Sequence, residues 1–169
     1  MKLSTRGRYA VMAMVELAAR QAAREGPCQD AAGSRAQVSL SEIAQAQLLS
    51  LAYLEQLFGP LRRAGLVASA RGPGGGYRLA RPAARISISE IVLAVDEPIQ
   101  ATRCDGALPG CLAGRRCLTH DLWAELGDQI RLFLEGVTLA DVIGGQVCGR
   151  AMVPRSAGEA AADEAPAAQ

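Results

Sequence analysis

Residues 39–80 read SLSEIAQAQLLSLAYLEQLFGPLRRAGLVASARGPGGGYRLA, and this stretch decides the fold. Ser39 stands three residues before Glu42, the spacing of a capping box, and opens a short helix from Leu40 to about Gln47. Ser50 caps a further helix from Leu51 to Ala64, which Gly65 closes. Two short capped helices with about three residues between them form a helix-turn-helix. The segments 66–70 and 77–80 then pair as two strands. Between them, Arg71 to Gly76 carries little side-chain bulk and no helix propensity, so it forms a turn or a projecting loop. That run lacks the G-x-x-x-x-G-K-[ST] spacing of a phosphate cradle, and no helix opens behind it. Helix-turn-helix followed by hairpin is the pattern of a winged helix; a plain flexible turn is the other reading of the glycines.

A recognition helix puts its N-terminal side chains into the major groove. Leu54, Leu57, Phe58 and Leu61 are expected to face the core, which leaves Ala52, Tyr53, Glu55 and Gln56 toward DNA. Gln56 can bond adenine bidentately, and Tyr53 can reach a phosphate or a thymine methyl. Glu55 can accept from cytosine while phosphate repels it. Arg62 and Arg63 suit the DNA backbone. Arg71, beside Gly72 at the wing tip, suits a narrow minor groove. For each of these polar residues a solvated helix face is the plain alternative. Gly59 and Pro60 are unusual inside a helix: proline removes one hydrogen bond and clashes with the preceding turn, a cost of ~3 kcal/mol. The helix is expected to kink there, or to end and restart.

Upstream, Ser4 or Thr5 caps a helix from about Arg8 to Gln21, with Val11, Met14, Val15, Leu17 and Ala18 on its buried face. Residues 24–37 are small and polar and read as a loop. Downstream, Ser87 and Glu90 form another capping box for a helix through Val95, which residues 96–98 end. A cysteine-bearing loop covers about 102–118. Thr119 then caps a helix from His120 to Glu135. Leu122, Leu126, Ile130, Phe133 and Val137 form one stripe on it, with Trp123 and Leu134 beside. A second subunit is the natural partner for that stripe. Thr138 and Asp141 begin a last short helix, and the Ala, Glu, Asp and Pro beyond Gly149 read as disordered. The expected organisation is a winged helix-turn-helix DNA-binding domain over 1–85, then a connecting helix, ligand loop and dimerisation helix over 86–148. An acidic, alanine-rich tail over 149–169 follows. The fold class is mostly α with a small β-hairpin.

Half of the 169 residues are apolar, enough for a core, but aromatics make up only 4%, so aliphatic side chains must fill it. The net charge of +1 conceals an asymmetry. Residues 1–85 carry 12 Lys and Arg against 5 Asp and Glu, whereas residues 86–169 carry 6 against 12. A basic front half attracts a polyanion; ordinary surface charge accounts for the same counts. No apolar run approaches the ~20 residues of a membrane span. The first 20 residues lack a signal-peptide pattern, because Glu16 breaks their apolar stretch. The expected location is the cytoplasm, where five cysteines serve as thiols or ligands rather than disulfides.

Three of those cysteines and the only histidine fall together: Cys104, Cys111, Cys117 and His120, in RCDGALPGCLAGRRCLTH. Six residues separate the first two cysteines, five the next two, and two separate Cys117 from His120. Structural zinc sites use tighter C-x₂₋₄-C knuckles. Wide spacings wrapped by Gly and Pro suit a larger group such as a 2Fe–2S cluster, on which histidine can replace a thiolate. Spacing alone leaves zinc open, and also three surface thiols with a histidine near a helix start. Cys28 and Cys148 have no ligand-like neighbours.

The stretches KLSTRGRYAVMAMVELA, LAYLEQLF, GLVASARGPGGGYRLA, AVDEPIQATRC and CLTHDLW occur in this order. Together they make the chain resemble a family of winged-helix transcription factors that carry iron–sulfur clusters. The resemblance covers about residues 1–145 and stops at the acidic tail. It implies a homodimer built on a long helix, a 2Fe–2S cluster held by three cysteines and one histidine, and repression of cluster-assembly genes by the loaded form. It also implies that the cluster-free form binds a second class of sites. Carried over by position, the ligands are Cys104, Cys111, Cys117 and His120. The DNA readers are Tyr53, Gln56 and Arg71, with Glu55 discriminating between site classes. This sequence departs from the pattern at Ala52, where a serine is usual, and in a longer first cysteine gap. It departs also in a longer 24–37 loop and at Gly59 and Pro60.

Three functions compete. The first is a cluster-sensing regulator that takes double-stranded DNA with a roughly palindromic site as partner and cluster-assembly scaffold proteins as cluster donors. The second is a regulator of the same fold that binds zinc, or senses oxidants or nitric oxide through its thiols. The third is a cluster carrier or electron-transfer protein, against which the wing and the basic front half argue. No nucleophile–base pair stands out, so no enzyme is expected.

Overall fold

The computed structural model describes residues 5–25, 37–70, 72, 75–95 and 118–147. The elements run α1 (Thr5–Glu25), α2 (Leu40–Gln47), α3 (Leu51–Arg63), β1 (Val67–Ala70), β2 (Gly76–Leu79), a 3-10 turn (Ala83–Arg85), α4 (Ile88–Ala94), α5 (His120–Gly136) and α6 (Leu139–Ile143). Among the described residues the fold is mostly helical with one antiparallel two-stranded sheet, as the sequence led us to expect.

Local chemistry sets the helix starts. At α2 the Glu42 N–H donates to Ser39 Oγ at 3.3 Å and the Ser39 N–H donates to Glu42 Oε2 at 2.9 Å, closing the capping box in both directions. Identical boxes open α4 at Ser87 and Glu90 and α6 at Thr138 and Asp141. Leu48 then takes the left-handed conformation, with φ 53° and ψ 40°, and its N–H bonds the Ala44 carbonyl. This turn aims the chain so that Ser50 can cap α3, accepting from the Tyr53 N–H at 3.2 Å. Thr119 holds the N-cap position of α5 but makes no side-chain capping bond there, which corrects the expected cap.

Pro60 lies inside α3, and the helix runs through it to Arg63. The expected break and restart does not occur. Proline removes the N–H that would meet the Gln56 carbonyl, but Pro60 is buried with its neighbour Leu61, and that burial offsets the loss.

α1 is longer than expected at both ends, taking in Thr5 before the expected start and Arg24 and Glu25 from the expected loop. Its buried face is Ala10, Ala13, Met14, Leu17, Ala18 and Gln21, while Val11 and Val15 are only half-buried. The face is thus turned toward the small alanines, which let neighbouring helices approach closely. α2, α3, α4 and α6 all pack on α1. Beyond the apolar turns, Gln21 accepts from the Leu79 N–H of β2 at 2.7 Å and satisfies a buried strand donor. The Arg24 guanidinium reaches both the Gln37 carbonyl and Glu42, tying the far end of α1 to the start of α2.

The hairpin pairs Val67 with Leu79 and Ala70 with Gly76. β1 starts one residue later than expected and β2 lies one residue earlier, within ordinary end fraying. A short third rung, missing from the sequence reading, joins Val38 to Tyr77, with N–H···O distances of 2.9 and 2.8 Å. Gly76 makes this approach feasible: a Cβ there would stand 2.5 Å from the Val38 carbonyl oxygen. Tyr77 also meets Phe58 of α3 edge-on, ring centroids 4.8 Å apart, so the wing base is fixed to the recognition helix.

A second clamp joins the 3-10 turn to the far end of α5. The Ile88 N–H bonds the Val137 carbonyl at 2.9 Å and the Leu139 N–H bonds the Ile86 carbonyl at 3.0 Å. Ile86, Val137 and Leu139 are all buried there. The rest of α5 differs sharply: none of its residues is buried. Of the expected stripe, Leu122 is 62% exposed and Phe133 42%, with Trp123 and Leu126 also in the open; Leu132, outside the stripe, is exposed too. Val137, beyond the helix end, enters the core, and half-buried Leu134 packs against it.

Candidate nucleic-acid interface and metal-ligand loop

The first turns of α3 divide cleanly. Leu54, Leu57 and Phe58 point into the core with no exposed surface. Leu51, Ala52, Glu55 and Gln56 are exposed. Helical geometry puts 51 and 55 on one row and 52 and 56 on the next, so the four share one outward face. Glu55 and Gln56 therefore face outward, as the apolar spacing implied.

Tyr53 is placed differently from its exposed neighbours. It is half-buried, and its ring meets Tyr9 of α1 edge-on at 6.0 Å and 88°. The Arg8 guanidinium in turn lies 5.6 Å from the Tyr9 ring centroid, within cation–π reach. The N-terminus of α1 thus stands against the side of α3. The sequence reading missed Arg8 and Tyr9. Their signal was an aromatic residue on the helix edge preceded by Arg6 and Arg8.

Arg62 is exposed at the other end of α3 and its Nη1 lies 3.5 Å from Ser69 Oγ of β1, bridging recognition helix and wing. Arg63 is exposed beside it. Gly72 is exposed, with φ +106°, a backbone that side chains rarely adopt. Its carbonyl accepts from the Gly75 N–H at 2.8 Å, which closes the wing turn. Arg71 lies outside the described residues.

Of the four candidate ligands only His120 is described; Cys104, Cys111 and Cys117 lie outside. His120 is half-buried as the first residue of α5. Among the described residues no three His, Cys, Asp or Glu side chains gather into a metal site. None of the described helices is long and apolar enough to cross a membrane.

A helix pair with an outward polar face, followed by a glycine-turned wing fixed to it, defines a winged helix-turn-helix DNA-binding protein. A family model described as Rrf2, iron-dependent transcriptional regulator, matches residues 3–145, and the chain belongs to that family. Over 146 residues the chain is 47% identical to the HTH-type transcriptional regulator IscR of Yersinia pseudotuberculosis serotype O:1b, covering 86% of this chain and 81% of that protein. Its fold is similar to that of CymR, the global cysteine regulator of B. subtilis, with a TM-score of 0.66 and 33% identity across 86% of this chain and 98% of the other. It is similar also to T. potens IscR, with a TM-score of 0.64 and 35% identity across 86% and 88% of the two chains. The chain is a DNA-binding transcriptional regulator and not an enzyme, as the sequence implied.

Proposed function

We propose that this regulator senses an iron–sulfur cluster and represses cluster-assembly genes when it carries 2Fe–2S. The observation that carries the reading is the place of His120. The chain's only imidazole opens α5 and directly follows the segment bearing Cys104, Cys111 and Cys117. The donor set fits the group: three thiols and one imidazole make up four ligands, with histidine in place of one thiolate. The family's description as iron-dependent supports iron over other metals. When bound, the cluster supplies a centre that oxidants and iron supply can alter. The chain's residues do the rest. The thiols give up their protons to bind, and His120 links the loop to the helix that carries the uncovered apolar stripe.

That stripe takes a second copy of the chain, so a homodimer sets two α3 helices and two wings on one face of a roughly palindromic duplex. Tyr53, Glu55 and Gln56 serve base reading, Arg62 the backbone, and Arg71 with Gly72 the minor groove. Residues 1–85 form the DNA-binding unit and 86–148 the sensing and dimerising unit, in the cytoplasm, with scaffold proteins of cluster assembly as donors. A second reading, a zinc-bound or thiol-sensing regulator, draws on the similarity to a cysteine regulator. Anaerobic purification with an absorption spectrum and iron and sulfide analysis separates the two. A red-brown protein with about two irons per chain supports the cluster; a colourless protein with stoichiometric zinc supports the alternative. Equal affinity of loaded and cluster-free protein for every operator overturns sensing, because coupling requires a difference between states.

A further inference from the structure

The outward face of α3 is not wholly polar. It opens on Leu51, which is 45% exposed at the first helical position, with Ala52 exposed beside it. The core side of the helix is already filled by Leu54, Leu57 and Phe58, so Leu51 has no place in the core of this chain. A single exposed leucine is ordinary on a protein surface; what singles out Leu51 is its place, the first residue of α3 on the outward row of Glu55. The N-terminal positions of a recognition helix are the ones that meet base edges. The major groove offers one apolar group at those edges, the C5-methyl of thymine. Size, chemistry and position agree.

We propose that Leu51, flanked by Ala52, reads a thymine methyl in each half-site. The row of Leu51 and Glu55 then selects in two ways: the leucine attracts a methyl and the carboxylate rejects bases that offer it no donor. This inference rests on α3 as the major-groove reader and adds a base preference to it.

The test uses the full-length protein and an operator selected from a random pool. Each thymine is replaced in turn by deoxyuridine, which removes the methyl and keeps every hydrogen-bonding edge. Wild type should lose about fourfold in affinity at one symmetry-related position, the equivalent of ~0.8 kcal/mol for one buried carbon group. Leu51→Ala should bind the thymine operator more weakly and be indifferent to uridine there. Leu51→Met should keep the thymine preference, which excludes a folding defect as the cause. A wild type insensitive at every thymine, or Leu51→Ala with the full thymine preference retained, overturns the proposal. Gln56→Ala on the same operators tells the two failures apart. If it weakens binding while the Leu51 arm fails, α3 remains the reader and the leucine inference falls alone. If neither variant changes binding, both fall.

Discussion

α1 and α5 are both long amphipathic helices, and they end up in opposite surroundings. α1 buries six side chains over three turns and anchors the packing of four other helices. α5 buries none of its 17 residues. The difference lies in side-chain size. α1 presents alanines at 10, 13 and 18 around Met14 and Leu17, which suits close neighbours within one chain. α5 presents Leu122, Trp123, Leu126 and Phe133, bulky groups that only another large apolar surface can cover. Periodicity shows that a face will be buried; the size of its residues shows how near the covering surface can come.

That contrast can be broken experimentally. The largest effect is expected in the core of α1. Leu17→Ala should cost about 2–5 kcal/mol of stability in urea unfolding, because the side chain is fully enclosed. The matching change on α5, Leu126→Ala, should leave the unfolding free energy of dissociated chains nearly unchanged. Leu126→Asp with Phe133→Asp should instead dissociate the proposed dimer, raising its Kd by at least about 100-fold, because each loses the burial of a large apolar side chain, ~1.5–3 kcal/mol. Sedimentation of a protein that stays dimeric would remove α5 as the interface.

Next in size is Gly76→Ala. Its Cβ would meet the Val38 carbonyl at 2.5 Å, so the third rung must open. A loss of about 1–3 kcal/mol is expected from overpacking, with faster hydrogen exchange at Val38 and Tyr77. Unchanged exchange there would show that the rung contributes little.

Acid should act on the helix starts. Hydrogen bonds from the Ser39 backbone and side chain, with Arg24 nearby, hold Glu42 below its ordinary value of 4.5. Burial raises Glu90, but bonds from the Ser87 backbone and Arg81 outweigh it and leave the carboxyl lowered from 4.5. The Thr138 hydroxyl and backbone N–H lower Asp141 from 3.8. Folded values below unfolded ones mean that the unfolded chain binds more protons in acid. The contribution is complete above the ordinary values and fades as pH falls through the lowered ones. Urea midpoints should therefore be flat in the pH 5–7 range and drop below about pH 4. Glu42→Gln should reduce the drop; an equal drop would place the acid sensitivity elsewhere.

The smallest effect should be a gain. Leu48 is 92% exposed with φ 53°, a conformation that disfavours a leucine. Leu48→Gly should raise stability by about 0.5–1 kcal/mol, since relief of the left-handed strain exceeds the added freedom of the unfolded chain. A lower melting temperature would mean that the exposed side chain has a contact of its own.

The helix starts were legible because a capping box is written in four consecutive residues. Ser39, Ser50, Ser87 and Thr138 all open helices as expected. The rung between Val38 and Tyr77 was not legible, because its partners are far apart in the chain and Val38 stands alone between a polar segment and a cap. Nor was the continuity of α3 through Pro60, which depends on burial that no local rule supplies. At the site, the outward turn of Glu55 and Gln56 followed from the apolar spacing of Leu54, Leu57, Phe58 and Leu61. The pairing of Tyr53 with Tyr9 did not, since it joins two helices whose crossing is set by the core. Arg71 and the three ligand cysteines stand outside the described residues, so their expected roles remain proposals.

The clamp that joins Ile88 to Val137 and Leu139 to Ile86 gives α5 the character of a lever. Its held end is fixed by two backbone hydrogen bonds to the segment that follows the wing. His120 is at the opposite end, about 24 Å away at ~1.5 Å of rise per residue. On an arm of that length a tilt of about 5° displaces the tip by ~2 Å. On the proposed cluster reading, a change of ångström scale at the ligand residues would reach the pivot as a rotation of a few degrees. In the proposed dimer, joined along two such arms, that rotation would alter the spacing between recognition helices, which has to match the spacing of the half-sites.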